Sequence, residues 1–427
     1  MRPIYLIHLG LILVCGLLAT FLPEIPQAKV GGAINTGDTA WLLTASALVL
    51  LMTPGLSFFY GGMVRRKNVI STMLQSMVAM GVISVTWVAV GFSLCFGESI
   101  GGVIGNPMTF FMFRGVGMLT HPDFSPTIPF ALFSLFQLKF AIITPALISG
   151  AFSERVKFTS YLLFMVLFSL FIYAPLAHMT WHPDGLLRNW GVLDFAGGTV
   201  VHISAGMAAL AGSIYLGPRT ELSHEAAHIP YVILGTGLLW FGWFGFNAGS
   251  SLAANETATL ALMNTNTASA VAMLTWMFLD CLRGKKASAL GACIGAVVGL
   301  VGITPAAGFV TIGAAVLIGF ISSFVSNMAL SLKNKTEIDD TLDVFPCHGL
   351  GGIVGMILTG VFARDVGLIY GETRTFFMHL LALVMVMVFC FFGSMFLYWV
   401  CSFARPMRVT KEEESLGLDI SQHGEKI

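Results

Sequence analysis

Eleven apolar stretches, one after another, constrain this chain more than any single motif. They run over residues 40–61, 69–96, 127–152, 158–180, 192–217, 229–250, 257–281, 287–303, 308–332, 344–363 and 375–403. A helix of about 20 residues crosses the ~30 Å hydrocarbon core of a bilayer. Only helices and closed barrels satisfy their own backbone there. Each stretch is long enough to span, the eighth only barely. Charged residues make up 10% of the chain, against about 25% in a soluble domain, so it cannot cover its apolar surface in water. The expected fold class is an all-α polytopic membrane protein with 11 transmembrane helices joined by short loops.

The first 28 residues read differently. Arg2 precedes an apolar run from Ile4 to Leu22, and E-I-P-Q-A closes the stretch at Ala28. Charge, apolar core and small terminal residue in that order describe a signal peptide cleaved near Ala28. The alternative is an extra transmembrane helix. Cys15 follows bulky Val14 and makes a poor lipid-attachment box. Residues 29–403 then form the membrane domain and 404–427 a polar tail. Fifteen Lys and Arg residues fall in the tail and the alternate loops on its side, against five on the opposite side. The positive-inside rule places the mature N-terminus outside and the C-terminus in the cytoplasm, which an odd helix count satisfies.

An internal repeat runs through the stretches. The first ends P-G-L-S-F-F-Y-G-G (Pro54 to Gly62), and the sixth ends G-W-F-G-F-N-A-G-S (Gly242 to Ser250). The fifth and tenth each carry an aspartate before a histidine: Asp194 eight residues before His202, and Asp343 five before His348. Two inverted five-helix repeats plus a final helix is a transporter plan with its site between the halves. The pseudo-twofold axis would bring His202 and His348 together near the midplane. With Asp194 and His202 on one helix, the two groups would differ by roughly 12 Å in depth. Ionisable groups inside membrane helices are costly and by default suggest a pathway.

Small residues flank both histidines. Gly198 and Gly206 share a helix face with His202, and Gly352 shares one with His348, which lets the helices close until the imidazoles touch. A neutral pair would share one N–H···N bond and leave its outer nitrogens to a small polar solute. The bland alternative is a structural pair inside a packed bundle. Phe136 and Phe140 stand four apart, as do Phe246 and Ser250. A phenyl ring that must swing aside blocks hydrated ions. Trp181 ends the fourth stretch on the outer side, where an indole face attracts a cation by about 0.5–2 kcal/mol. Taken singly, the phenylalanines read as lipid contacts and Trp181 as an interfacial belt residue. Zero net charge leaves no nucleic-acid footprint. The seven cysteines lack CxxC spacing, so neither a disulfide framework nor a metal site is expected. No nucleophile–base motif or cofactor fingerprint marks an enzyme, and no cofactor is expected.

Several motifs in fixed order carry a resemblance. They are F-Y-G-G at Phe59–Gly62, F-S-E-R at Phe152–Arg155, A-H-M-T-W at Ala177–Trp181 and D-F-A-G-G-T-V-V-H at Asp194–His202. There follow G-W-F-G-F-N-A-G-S at Gly242–Ser250, A-N-E at Ala254–Glu256, T-P-A-A-G at Thr304–Gly308 and D-V-F-P-C-H-G at Asp343–Gly349. Together they resemble the ammonium transporter family (Amt/Mep/Rh), in a bacterial Amt-type form, over nearly all of residues 40–425. The resemblance implies an outer site where Trp181, Phe140 and Ser250 hold ammonium, and a phenyl gate of Phe140 and Phe246. It implies a twin-histidine pore of His202 and His348, with Asp194, Phe136 and Thr304 in support. It further implies a homotrimer in the cell inner membrane, with one pore per subunit. The tail, with K-E-E-E at Lys411–Glu414 and G-L-D at Gly417–Asp419, resembles one that couples subunits and helps dock a PII-type signal protein.

Two departures stand out. Lys139 occupies a small-residue position beside Phe140, where it either snorkels to the outer headgroups or places charge near the cation site. Pro346-Cys347 precedes His348, and Cys347 reads as small packing. The implied activity is ammonium transport for nitrogen uptake: ammonium sheds water, gives up a proton at the gate, and crosses as ammonia between the histidines. Potassium matches ammonium in size but has no proton to lose. One alternative is an ammonium sensor acting through its tail on a PII-type partner. Another keeps transport but makes carbon dioxide the solute; Trp181 and Ser250 favour a cation.

Overall fold

The computed structural model describes residues 3–222 and 225–427. Arg2, the charge at the head of the leader reading, lies outside them. The chain opens with α1 (Pro3–Phe21), whose Leu9, Leu11, Ile12 and Leu13 are exposed. Among the described residues, nine helices are long and apolar enough to cross a membrane. In chain order the first six are α2 (Thr36–Met63), α3 (Arg66–Phe96), α4 (Phe130–Phe152), α5 (Phe158–Asn189), α6 (Gly198–Leu216) and α7 (Ile229–Gly249). Two others intervene, α8 (Glu256–Leu282) and α9 (Ala289–Ile303). The remaining three of the nine are α10 (Ile312–Lys333), α11 (Phe345–Phe362) and α12 (Arg374–Ala404).

The two intervening helices depart from the sequence expectation for physical reasons. The 27 residues of α8 dilute their apolar content with polar side chains, two of which donate to carbonyls of neighbouring segments. Asn264 donates to the Ala307 and Val310 carbonyls, and Ser269 to the Ala296 carbonyl. The 15 residues of α9 cover only about 22 Å as a helix, and turns follow it from Thr304. The eighth stretch therefore falls short of the hydrocarbon thickness as a helix.

Apolar side chains cover the outside of the bundle as well as filling its core. On α12 the exposed side chains Phe377, Leu381, Val384, Val388, Phe392, Phe396 and Phe403 recur at helical spacing, so beyond Arg374 its outward face is apolar. Inside, glycines line the most extensive helix contact, between α2 and α7. A Cβ on Gly62 would lie 2.7 Å from the His228 carbonyl oxygen, and one on Gly55 would lie 2.9 Å from Leu238 Cβ. Further along, Gly242 meets Met52 and Gly249 meets Ala45. Numbers fall on α7 as they rise on α2, so the two helices run antiparallel, as an inverted repeat requires of its first members. Without lipid-excluded water to drive association, such backbone approach supplies the packing.

Not every loop is short. Residues 97–129 form a folded segment at one end of the bundle with two antiparallel ribbons. β1 (Ser99–Ile100) pairs with β2 (Ile104–Gly105), and β3 (Thr120–His121) with β4 (Ser125–Pro129). Strands this brief leave no readable alternation of polar and apolar residues, so the sequence does not announce them.

At the opposite end, basic loops meet in one buried ionic network. Glu154, fully buried, accepts from Arg65 Nε at 2.8 Å and Arg219 Nη1 at 2.9 Å. Asp339 accepts from Arg219 Nε at 2.8 Å, with Arg155 Nη1 3.5 Å away. The tail closes over this face. Its short helix α13 (Lys411–Leu416) carries a capping box of Thr410 and Glu413. Glu414 pairs with Arg408 at 3.0 Å and accepts the Thr220 amide at 2.6 Å. Asp419 caps the start of α3 by accepting the Ser71 amide at 2.7 Å.

Burial pushes the Glu154 carboxyl up, but the Arg65 and Arg219 guanidiniums outweigh it and hold the group below its ordinary 4.5. Asp339 is likewise raised by burial and brought below its ordinary 3.8 by Arg219 and Arg155. Depressed carboxylates stabilise the fold above their unfolded values and lose that contribution as pH falls through the folded ones. The thermal midpoint in detergent should therefore drop on acidification below about pH 4. Glu154→Gln, which removes the carboxylate shared by Arg65 and Arg219 but leaves Arg219 its pair with Asp339 and Arg65 its pair with Glu221, should destabilise the fold by about 1–3 kcal/mol at neutral pH, read as a lowered midpoint.

Candidate functional site

The first half of the site is built around the start of α6. Residues 193–197 are not helical, and Gly197 turns the chain at φ 112. Asp194 precedes the helix and caps it. Its Oδ1 accepts the amides of Gly197 at 2.8 Å and Gly198 at 2.6 Å; its Oδ2 accepts the Thr199 amide at 2.7 Å and hydroxyl at 2.5 Å. First-turn amides have no partner within a helix, and a carboxylate there also meets the positive end of the dipole. Asp194 and His202 thus do not lie on one helix, and the 12 Å depth relation drawn from helical rise does not apply. The opening of α6 is a π-turn, Gly198–Ile203, in which the His202 amide donates to the Gly197 carbonyl five residues back.

The second half repeats this construction with a different aspartate. Asp340 accepts the Val344 amide at 3.0 Å and the Phe345 amide at 2.7 Å. A π-turn, Phe345–Gly349, follows and contains His348. Asp340 stands eight residues before His348, the same interval as Asp194 to His202. Asp343, the match expected from sequence, instead ion-pairs with Lys333 at 2.5 Å and sits at a left-handed φ of 57. The equal eight-residue interval was the available signal. The motif's conspicuous Asp343 obscured it.

The two π-turns bring the imidazoles together. His348 Nδ1 lies 3.3 Å from His202 Nδ1, with ring centroids 5.4 Å apart and planes 24° from parallel. Both rings are buried, and His202 Nε2 has no hydrogen-bond partner among the described residues. The close approach comes from glycine. A Cβ on Gly206 would overlap the backbone of Gly349, and one on Gly352 would lie 3.2 Å from His202 Cβ. Trp243, absent from the residues singled out by sequence, stacks on His202 at 5.3 Å and 16°. Its Nε1 donates to Thr304 Oγ1 at 2.9 Å, and that hydroxyl donates to the Leu300 carbonyl. Thr304 is thus linked to the pair through Trp243. Trp243 was legible only as part of a motif, since tryptophan spacing carries no hint of what it stacks on.

A cavity of about 580 Å³ opens above this pair, lined by Phe140, Trp181, Ser250, Asp194, Gln137 and Phe195 among others. Trp181 Nε1 donates to the Asp194 carbonyl at 3.2 Å. The Ser250 hydroxyl donates to the Phe246 carbonyl at 2.8 Å, which leaves its oxygen as an acceptor. Phe140 meets Trp181 edge-on at 5.8 Å, Phe136 at 5.0 Å and Phe246 at 4.3 Å. Phe246 in turn lies 6.0 Å from His202. Phe136, Phe140 and Phe246 are at most 1% exposed, so none is a lipid contact. Lys139 is buried too, does not line the cavity, and has no hydrogen-bond or ion-pair partner among the described residues. Cys347 is buried beside His348.

Trp181, Phe140, Phe246, His202 and His348 thus form one file of ring contacts from the cavity to the middle of the bundle. The Ammonium Transporter Family matches residues 40–427 of the chain. The ammonium transporter of Aquifex aeolicus is 45% identical over 400 residues, covering 92% of this chain and 93% of that protein. That of Bacillus subtilis is 44% identical over 402 residues, covering 92% and 98%. Mep2 of Candida albicans, a solved structure, matches with a TM-score of 0.83 at 34% identity over 89% of this chain and 88% of that one. With nine membrane-length helices and a match along almost its whole length, the chain is a multi-pass membrane protein that belongs to the ammonium transporter family.

Proposed function

We propose that the protein takes up ammonium in the outer cavity and conducts ammonia through a hydrophobic path within each subunit. An ammonium ion offers four N–H donors and a positive charge. The Trp181 indole and the Phe140 ring offer π-faces to that charge, and Ser250 Oγ offers an acceptor. Below them, Phe140 and Phe246 at 4.3 Å leave no room for a hydrated ion. Moving the bare ion further into an apolar path would carry a large desolvation penalty. Loss of a proton at the gate removes that penalty, and the proton stays behind or travels separately. Ammonia then meets a histidine pair that shares one hydrogen between its Nδ1 atoms. The pair therefore presents one donor and one acceptor at its Nε2 atoms, which suits a solute with both functions. The observation that carries this reading is the unbroken file of rings from Trp181 to His348.

The same reading takes α2 to α12 as eleven transmembrane helices in two inverted five-helix repeats plus α12. The antiparallel α2 and α7 and the equal aspartate–histidine intervals support it. The N-terminus of the mature chain is outside and the C-terminus cytoplasmic, in keeping with the basic loops gathered under the tail. Residues 1–28 are a signal peptide, 29–403 the membrane domain and 404–427 a regulatory tail. The protein works as a homotrimer in the cell inner membrane, with a PII-type signal protein docking at the tail face. Transport is the primary activity rather than sensing, because a protein that only sensed would have no use for the file beyond the gate.

Methylammonium uptake into proteoliposomes tests this. The wild-type protein should transport and exclude potassium. Phe246→Ala combined with His202→Ala should change uptake at least about tenfold, the equivalent of ~1.4 kcal/mol at the barrier. Unchanged flux in that double variant would remove both gate and pore from the account.

A further inference from the structure

We propose that His379 is a positioning residue for the outer site, holding the Leu193–Asp194 backbone from which Trp181 and the start of α6 take their places. The inference rests on the outer-site reading above. His379 lies on α12 and is fully buried. Its Nε2 accepts the Leu193 amide hydrogen, at 2.9 Å between nitrogens, and its Nδ1 lies 2.8 Å from the Met356 carbonyl oxygen. A donor on one side and an acceptor on the other leave one arrangement, a neutral ring with its hydrogen on Nδ1. Gly360 of α11 packs beside the ring, where a Cβ would lie in ordinary contact with His379 Cγ at 3.4 Å.

What that ring holds explains why it matters. The segment before α6 is irregular, and three amides tie it to three different elements. Val192 donates to the Leu187 carbonyl, Phe195 to the Pro305 carbonyl, and Leu193, between them, to His379. Among these ties only the middle one ends on a side chain. The next residue, Asp194, then does two jobs at once. Its carbonyl accepts the Trp181 indole hydrogen, and its carboxylate accepts three amides at the start of the helix that carries His202. A shift of the Leu193 peptide would displace both. A helix whose outer face is lipid-directed thereby acts on the cation site through a single buried imidazole, without touching the solute.

The test is methylammonium uptake by the full-length protein in proteoliposomes, with KM and Vmax separated. His379→Phe keeps an aromatic ring, slightly larger, but neither nitrogen. It should raise KM about tenfold, the scale of stranding one buried donor, with Vmax less affected. His379→Gln offers an acceptor and a donor on one side chain and should restore KM to near wild type. In a Trp181→Leu background, His379→Phe should add nothing further to KM. An unchanged KM in His379→Phe, or full additivity with a Trp181→Leu variant that itself raises KM, would overturn the proposal. A Trp181→Leu variant with unchanged KM would instead overturn the outer-site reading. Amide hydrogen exchange over residues 190–196 then decides for His379 independently. Faster exchange there in His379→Phe supports the positioning role, and unchanged exchange overturns it. Should the Phe variant not fold, His379→Asn, which carries both groups on a shorter side chain, takes its place with the same criteria.

Discussion

Asp194→Ala is expected to abolish uptake, by more than about a hundredfold, in protein that still reaches the membrane. The carboxylate accepts four hydrogen bonds within 2.8 Å, three of them from the consecutive amides of Gly197, Gly198 and Thr199. Each buried donor left without a partner costs about 1–3 kcal/mol. The π-turn that sets the depth of His202 would have nothing to hold it. Asp194→Asn separates this role from proton transfer. An amide oxygen can still accept from Gly197 and Gly198, while its NH2 group confronts the Thr199 amide. A cap predicts partial activity for Asn, well above Ala. A base that must take the ammonium proton predicts that Asn is as inactive as Ala. Uptake and thermal midpoint measured on both variants decide between the two.

Gly206→Ala should also impair transport, through packing alone. A methyl group there overlaps the Gly349 backbone, and no side-chain rotation can relieve an overlap with main chain. The helices carrying His202 and His348 would have to part, which stretches a Nδ1–Nδ1 contact already at 3.3 Å. Uptake is expected to fall at least about tenfold, with destabilisation of about 1–3 kcal/mol from overpacking. Gly237→Ala serves as the control, since a Cβ at that position of α7 meets nothing within 4 Å. Equal uptake in the two variants would show that the histidine helices have slack that the glycine contact does not suggest.

How much of this was readable in advance depends on which interactions a residue answers to. The apolar stretches became helices close to their expected bounds, because a backbone that must satisfy itself away from water has few choices, and composition alone declares that need. The gathering of basic loops at one end, the meeting of His202 with His348 and the small residues between them were readable for a similar reason. Each follows from local charge or from a repeat visible along the chain. Depth and partnership were not readable. Helical rise assigned Asp194 a place on α6, whereas four hydrogen bonds favoured it as the cap. Asp343 looked like its counterpart, yet Lys333 engages it and Asp340 caps the second π-turn. Trp243 and His379 act on groups 41 residues before and 186 residues before them in the chain, respectively. Such pairings depend on how helices cross, and crossing is set by the fit of whole surfaces, which no local spacing encodes.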